Sequence, residues 1–312
     1  MKNIVNEVRG EGYLYEHKLE LRHSEKNNTD FISGKISIAT NEDCTNVVDF
    51  HFIYVTPTYS KSGKANPNYG LLENIINSGT SKTVMGAGKE NALKLRVDGS
   101  IGLNDFYSSR DNEVVSYPRN EASFVNIVNS FNEKEEKRNI FKTDMLITNT
   151  FRKEADEERN IAEHLIVKGA TFNGFTKALL PVSYTVYNPA AIDYFEGLEA
   201  SPSTPVFTKV WGQICSQEFV SKTETKSAFG EDLVEERTTT RKEYVITGAQ
   251  GECYDWDTED SILASEVKKA MSDRELHLAE VKKNYDEYQN SKSNATATPA
   301  SSTNVAAGNF AF

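Results

Sequence analysis

KLRVDGSIGLNDFYSS (residues 94–109) returns without gaps as FTKVWGQICSQEFVSK (residues 207–222), an offset of 113 residues. Val97, Gly99, Ile101 and Phe106 recur as Val210, Gly212, Ile214 and Phe219, while Arg96 and Asp105 recur in kind as Lys209 and Glu218. Each stretch reads as a strand, and a glycine inside a strand marks a bulge or a sharp bend. A repeat of this length implies that one structural unit is used twice.

Working outward, Phe124-Val125 matches Tyr244-Val245 at an offset of 120, so the second copy is expected to carry a hairpin seven residues longer. That hairpin, 221–236, is rich in Lys, Glu, Ser and Thr and too polar for a core, which predicts an extended β-ribbon. Upstream, Asn66-Pro67 and Asn188-Pro189 each open a short apolar-periodic stretch. Asn at the cap satisfies an orphan N–H and Pro at the first helical position lacks one, so both sites predict a helix start. Strands are expected before each helix, at 34–40 and 47–55 in the first copy and at 168–172 and 179–187 in the second. First-strand candidates lie at 13–21 and 144–150.

Three strands, a capped helix, a strand, a hairpin and a fifth strand is the connectivity of the OB-fold, a small partly open barrel. The expected fold is therefore mostly β, with two tandem five-stranded OB-like barrels, each with one short helix, followed by a C-terminal helix and a disordered tail. The boundaries read as a first domain at 1–130, a charged linker at 131–143 and a second domain at 144–255. A helix at 256–290 and a disordered tail at 291–312 follow.

In the helix, Val267, Met271, Arg274, Leu278, Val281, Tyr285 and Tyr288 are spaced alternately by four and three residues. Heptad spacing serves either packing on the protein's own body or self-association into a homo-oligomer. The tail is Ser, Thr, Ala and Asn with little apolar content until Asn309-Phe310-Ala311-Phe312. Such a composition does not bury enough surface to fold, and an apolar tip on a leash suits capture by a partner protein.

The 35 Lys and Arg against 46 Asp and Glu give a net charge of −11, which argues against indiscriminate polyanion binding. A groove that is locally basic on an acidic body remains compatible with it. The chain has no run of about 18 apolar residues and its first twenty residues carry charges throughout, so neither a membrane span nor a signal peptide is expected, and a cytoplasmic protein is. Cys44, Cys215 and Cys253 are odd in number and far apart, as reduced structural thiols would be.

Enzyme motifs are missing. MGAGKE (85–90) resembles a phosphate-binding loop, but Thr83 stands where the first Gly is needed and Glu90 where Ser or Thr would meet magnesium. It reads instead as a flexible loop within 79–90. His17, His23, His51, His164 and His277 show no metal or nucleophile spacing. Asp255, Asp257, Glu259 and Asp260 lack the glycine and terminal Glu of a calcium loop and precede a helix whose start favours negative charge. No catalysis, cofactor or metal is expected.

Aromatic and basic residues interleave on the expected strands, as single-strand binders require, since every base offers a π-face and every phosphate a charge. The candidates in the first copy are Tyr54, Tyr59, Lys61, Lys64, Arg96, Tyr107 and Arg119. In the second they are Lys209, Trp211, Lys222, Arg237, Arg241 and Lys242. Phe52, Phe106, Tyr184 and Phe219 read as core. Lys209 shares a face with Trp211 by the two-residue period; Arg96 holds the equivalent place in the first copy, but there Asp98 replaces the aromatic.

The segments 94–100 and 207–214, the ribbon ending RKEYVITG (241–248) and the apolar-tipped tail together resemble the tandem OB-fold single-stranded DNA-binding proteins of bacteriophage and mobile-element replication systems. The resemblance implies a non-catalytic protein that coats exposed single-stranded DNA in DNA replication or recombination, in the host cytoplasm if phage-encoded. Such binders are described with an acidic recruiting tail. No Asp or Glu follows Glu287 here, so replication or recombination partners would have to meet Phe310 and Phe312 instead. A different reading is a structural or virion-associated protein whose β-domains and heptad helix serve assembly. A third is an accessory subunit that binds only protein, which the acidic balance suits.

Overall fold

Alternation of buried and exposed residues carries much of the chain into strands. The computed structural model describes residues 4–59, 62–156, 161–227, 229, 233–257 and 262–296, with only the backbone described at 217–225, 233–239 and 291–296. The first half comprises β1 (Asn6–Ser24), β2 (Thr29–Ala39), β3 (Val47–Val55), α1 (Pro67–Ser78), a short α2 (Val84–Ala87), β4 (Lys94–Ser108) and β5 (Glu113–Ile127). The second comprises β6 (Asn139–Lys153), β7 (His164–Phe172), β8 (Leu179–Val186), α3 (Pro189–Gly197), β9 (Val206–Thr225) and β10 (Leu233–Ala249), and α4 (Ala264–Thr296) closes the described chain.

Both helix starts are built as the sequence predicts. Asn66 accepts from the Asn68 N–H and Asn188 from the Ala191 N–H, with Pro67 and Pro189 at the first turn. Leu72 and Ile75 of α1, and Ile192 and Phe195 of α3, are buried against the sheet.

Among the described residues the ten strands form one continuous sheet in the order β2-β3-β5-β4-β1-β6-β7-β8-β10-β9. The two five-strand sets expected from the repeat are therefore not separate bodies. β1 joins them by pairing with β4 through Val8–Tyr13 and with β6 through Asn6–Gly10. Within each set the pairings form a circuit. β1 pairs with β2 and β4, β2 with β3, β4 with β5, and β3 in parallel with β5. β6 to β10 repeat this pattern, including a parallel contact between β8 and β10.

The repeat extends to single side chains. Asn6 of β1 donates to the Ile101 carbonyl at 2.9 Å, and Asn139 of β6 donates to the Ile214 carbonyl at 2.6 Å. Opposite the bulges in β5 and β10, a Cβ on Gly99 would lie 2.0 Å from the Glu121 carbonyl oxygen, and one on Gly212 would lie 1.9 Å from that of Val245. Only glycine allows the paired strand so close, which explains why both repeats keep it. Val97 and Val210 are fully buried beside them.

Several boundaries shift. The charged linker ends sooner than expected, because Asn139 and Phe141 are buried and residues 139–143 already belong to β6. The loop within 79–90 contains helical turns, with the Thr83 hydroxyl accepting from the Gly86 N–H. The α4 backbone continues through 291–296, beyond the expected helix end at 290. Phe124-Val125 does not match Tyr244-Val245. Asp98 faces Phe124 across β4–β5 whereas Trp211 faces Gly248 across β9–β10, so Phe124-Val125 corresponds to Gly248-Ala249 and the offset there is 124. The second hairpin is thus eleven residues longer rather than seven.

Val267, Arg274 and Tyr285 of the heptad series pack on the protein's own body, while Met271 and Tyr288 are more than half exposed. Val267 and Ala270 are buried in a satellite core with Ile262, Leu146, Phe172 and Phe207. One turn further, Arg274 donates twice to Asp105 of β4, both at 2.6 Å, and Tyr285 lies 4.6 Å from the Tyr107 ring.

Candidate nucleic-acid interface

The sequence-predicted site residues fall into separate places. Tyr54 and Tyr59 stand at and beyond the end of β3. The Tyr54 ring lies 4.4 Å from Phe31 and its hydroxyl accepts from Asn27, while the Tyr59 N–H donates to the Lys64 carbonyl. Lys64 makes no ion pair among the described residues, and Lys61 lies outside them. Tyr107 faces Tyr285 of α4 and donates to Asn112 at 2.6 Å.

A second group sits where the two strand circuits meet through β3, β5, β9 and β10. There Lys242 binds Asp49 at 2.6 Å, Arg119 binds Glu121 at 2.9 Å, and Arg241 is paired with Glu243 while donating to the Tyr187 hydroxyl at 2.7 Å. Tyr244 donates to Asn120 at 2.7 Å across the same junction. Burial alone would raise the Asp49 carboxyl, but hydrogen bonds from Lys242 and Ser37 and the charge of Lys35 overcome it and hold the group at about 2. Burial, then the hydrogen bond to Glu243, pushes the Tyr187 hydroxyl up. All three cations are matched by carboxylates, Lys242 across the junction between the circuits and Arg119 and Arg241 within their own strands.

Lys222 and Arg237 lie on the long ribbon, opposite Glu236 and Ser221 respectively. Phe310 and Phe312 lie outside the described residues. Of the aromatics assigned to the core, Phe52 and Tyr184 are buried, and the Phe219 side chain is outside the described residues. Phe106 departs from expectation. It is 41% exposed and stacks on Tyr117 at 5.8 Å, because the outer end of the β4–β5 hairpin extends past the core.

Arg96, Lys209 and Trp211 share the outer face of the strand run β5-β4-β1-β6-β9. Trp211 is 41% exposed, and its indole covers Gly248, whose missing Cβ would lie 2.4 Å from Nε1. Lys209 Nζ lies 3.7 Å from Asp144 and 5.7 Å from the Tyr254 ring centroid, and hydrogen bonding to Tyr254 followed by the Asp144 charge raises its pKa. Asp144 accepts from the Val5 N–H at 2.8 Å and from the Tyr254 hydroxyl at 3.1 Å, and burial raises its carboxyl. Arg96 and Arg9 both donate through Nε to Asp98, at 3.1 and 2.7 Å.

The same face carries three residues the sequence reading did not single out as a site. Arg9 faces Asp98 across β1–β4, Lys142 faces Trp211 across β6–β9, and Phe124 is 55% exposed. Together with Glu7, Asp98 and Ile140 they line a cleft of about 400 Å³ where β1 meets β4 and β6. A nearby smaller cavity of about 90 Å³ belongs to the Asp49–Lys242 junction. Among the described residues no cluster of His, Cys, Asp and Glu is placed to hold a metal ion, and no helix is long and apolar enough to cross a membrane.

Exposed aromatics and cations thus share one sheet face of this β-rich chain. The chain belongs to the YorF family, whose model matches residues 4–284. No curated protein matches it. Among solved structures it is similar to the wild-type single-stranded DNA binding protein from Thermus aquaticus, at 8% identity and a TM-score of 0.45, over 80% of this chain and 93% of that one. A deletion mutant of the same Thermus protein is similar at 10% identity and a TM-score of 0.45, over 83% of this chain and all of that one.

Proposed function

We propose that the protein binds single-stranded DNA without catalysing a reaction and coats exposed strands during replication or recombination. The observation that carries this reading is Trp211. A half-exposed indole, flat against a glycine backbone on a strand face and flanked by Lys142 and Lys209, offers a ring for stacking beside charges for phosphate. Stacking of a base on such a ring contributes roughly 1 to 3 kcal/mol and tolerates any sequence.

The pairing circuits support an OB-type reading of 1–130 and 144–255, since each has three strands, a capped helix and two further strands, with strands three and five in parallel contact. In OB-folds the hairpin between the last two strands is a binding loop, which assigns the ribbon with Lys222 and Arg237 to clamping the strand. Tyr54, Tyr59 and Lys64, at and beyond the end of β3, would form a separate contact of the first unit. Recruitment of replication or recombination proteins falls to Phe310 and Phe312. The heptad face of α4 lies on the sheet through Val267 and Arg274, which weighs against the assembly reading.

Tryptophan emission tests it. Addition of oligo-dT to the full chain is expected to quench emission from Trp211 while Trp256 remains as the internal reference, and Trp211→Phe is expected to abolish the change. Unchanged emission and no binding at low salt would contradict the reading.

A further inference from the structure

We propose that one cation–aromatic pair from each strand circuit, Arg9 with Phe124 and Lys142 with Trp211, forms a single track that carries one DNA strand across the cleft between the circuits. The proposal rests on the single-strand reading above and adds its path, its stacking residue in the first unit and its stoichiometry.

The pairs are structural repeats. Arg9 faces Asp98, which faces Phe124; Lys142 faces Trp211, which faces Gly248. The two rows are counterparts, because Val8 and Phe141 face the two bulge glycines, Gly99 and Gly212, one residue earlier. Each row therefore holds one cation on its first strand and one exposed aromatic on its hairpin. The aromatic comes from the fifth strand in one unit and from the fourth in the other. Where Trp211 fills the place, its neighbour is glycine; where Asp98 fills it, the neighbour is Phe124. Two drifting copies have thus kept one large exposed ring at the same position by different means, although a polar residue there would be easier to solvate.

The charges are available. Lys142 makes no hydrogen bond or ion pair among the described residues, and Arg9 uses only Nε on Asp98, which leaves its two terminal nitrogens for a phosphate. Asp98 is shared between two guanidinium groups and so carries little uncompensated charge toward the cleft. Glu7, also unpaired among the described residues, is an acceptor suited to the exocyclic amino groups of bases rather than to phosphate.

Size agrees. Phe124 and Trp211 are four strand spacings apart, roughly 19 Å. At about 3.4 Å per stacked nucleotide that distance takes around six nucleotides, fewer if the strand is extended. The cleft between them, about 400 Å³, is within the range of ligand sites and lies directly on this line.

The test is binding of a labelled ten-nucleotide oligo-dT to the full-length protein and to Phe124→Ala, Trp211→Ala and Lys142→Gln. Phe124 and Lys142 are surface residues, so folding is expected to survive and is checked by circular dichroism. One oligonucleotide per chain, with affinity reduced between about 5-fold and 100-fold by either aromatic substitution, is the expected result. Lys142→Gln is expected to shallow the salt dependence by about one phosphate's worth. Tight wild-type binding that Phe124→Ala leaves unchanged, or two oligonucleotides per chain, would overturn the track while leaving single-strand binding intact. Absence of wild-type binding at low salt would overturn both.

Discussion

Phe124 and Trp211 reach the same place on the outer face of their hairpins from opposite strands, one across from Asp98 and the other across from Gly248. The glycine is what lets the indole lie down, since a Cβ there would stand 2.4 Å from Trp211 Nε1. Gly248→Ala is therefore expected to lift the ring toward solvent, red-shifting Trp211 emission and costing roughly 1 to 3 kcal/mol by overpacking. Emission spectra and urea unfolding check both effects.

Arg274 and Asp105 join α4 to β4 through two hydrogen bonds, with only 11% and 8% of their side chains exposed. Removing one partner leaves the other charge buried, which typically costs about 3 kcal/mol or more. Arg274→Ala is expected to loosen α4 from the hairpin before the sheet unfolds. Hydrogen exchange should show lost protection in residues 271–288 with the β-sheet amides unchanged.

The Asp49 carboxyl, held at about 2 by Lys242, Ser37 and Lys35, joins the first circuit to the second. Its folded value is lower than the unfolded one, near 3.9, so the carboxylate contributes stability that is complete at higher pH and lost as pH falls from about 4 toward 2. The contribution is at most about 2 kcal/mol, reduced because Lys242 is largely exposed. Unfolding free energies at pH 5 and pH 2.5 should converge between wild type and Asp49→Asn as the pH drops.

The repeat was legible where it is rigid. Gly99 and Gly212, forced by backbone contact, and Asn66-Pro67 and Asn188-Pro189, forced by helix capping, stand in the sequence at readable spacing. Asn6 with Asn139 and Arg9 with Lys142 were not, because the segment between β1 and β4 is longer than that between β6 and β9, so the offset differs from the one at Gly99 and Gly212. An aromatic before Val in both repeats suggests matching Phe124 to Tyr244, whereas pairing across the bulge sets the register and puts Gly248 there. Alternation could identify Arg119, Arg241 and Lys242 as strand cations. The same period sets Glu121 beside Arg119 and Glu243 beside Arg241, but it could not show that Asp49 neutralises Lys242, since Asp49 reaches it from another unit.

The most direct measurement is fluorescence anisotropy of a labelled 30-nucleotide oligo-dT and a duplex of the same length, titrated with the protein and with Trp211→Ala at several salt concentrations. Binding is expected for the single strand alone and is expected to weaken in the variant. With Arg9, Lys142 and Lys209 meeting three phosphates, the log–log salt slope should be about −2. Equal binding to the duplex, or none to the single strand at low salt, would contradict single-strand recognition by this face.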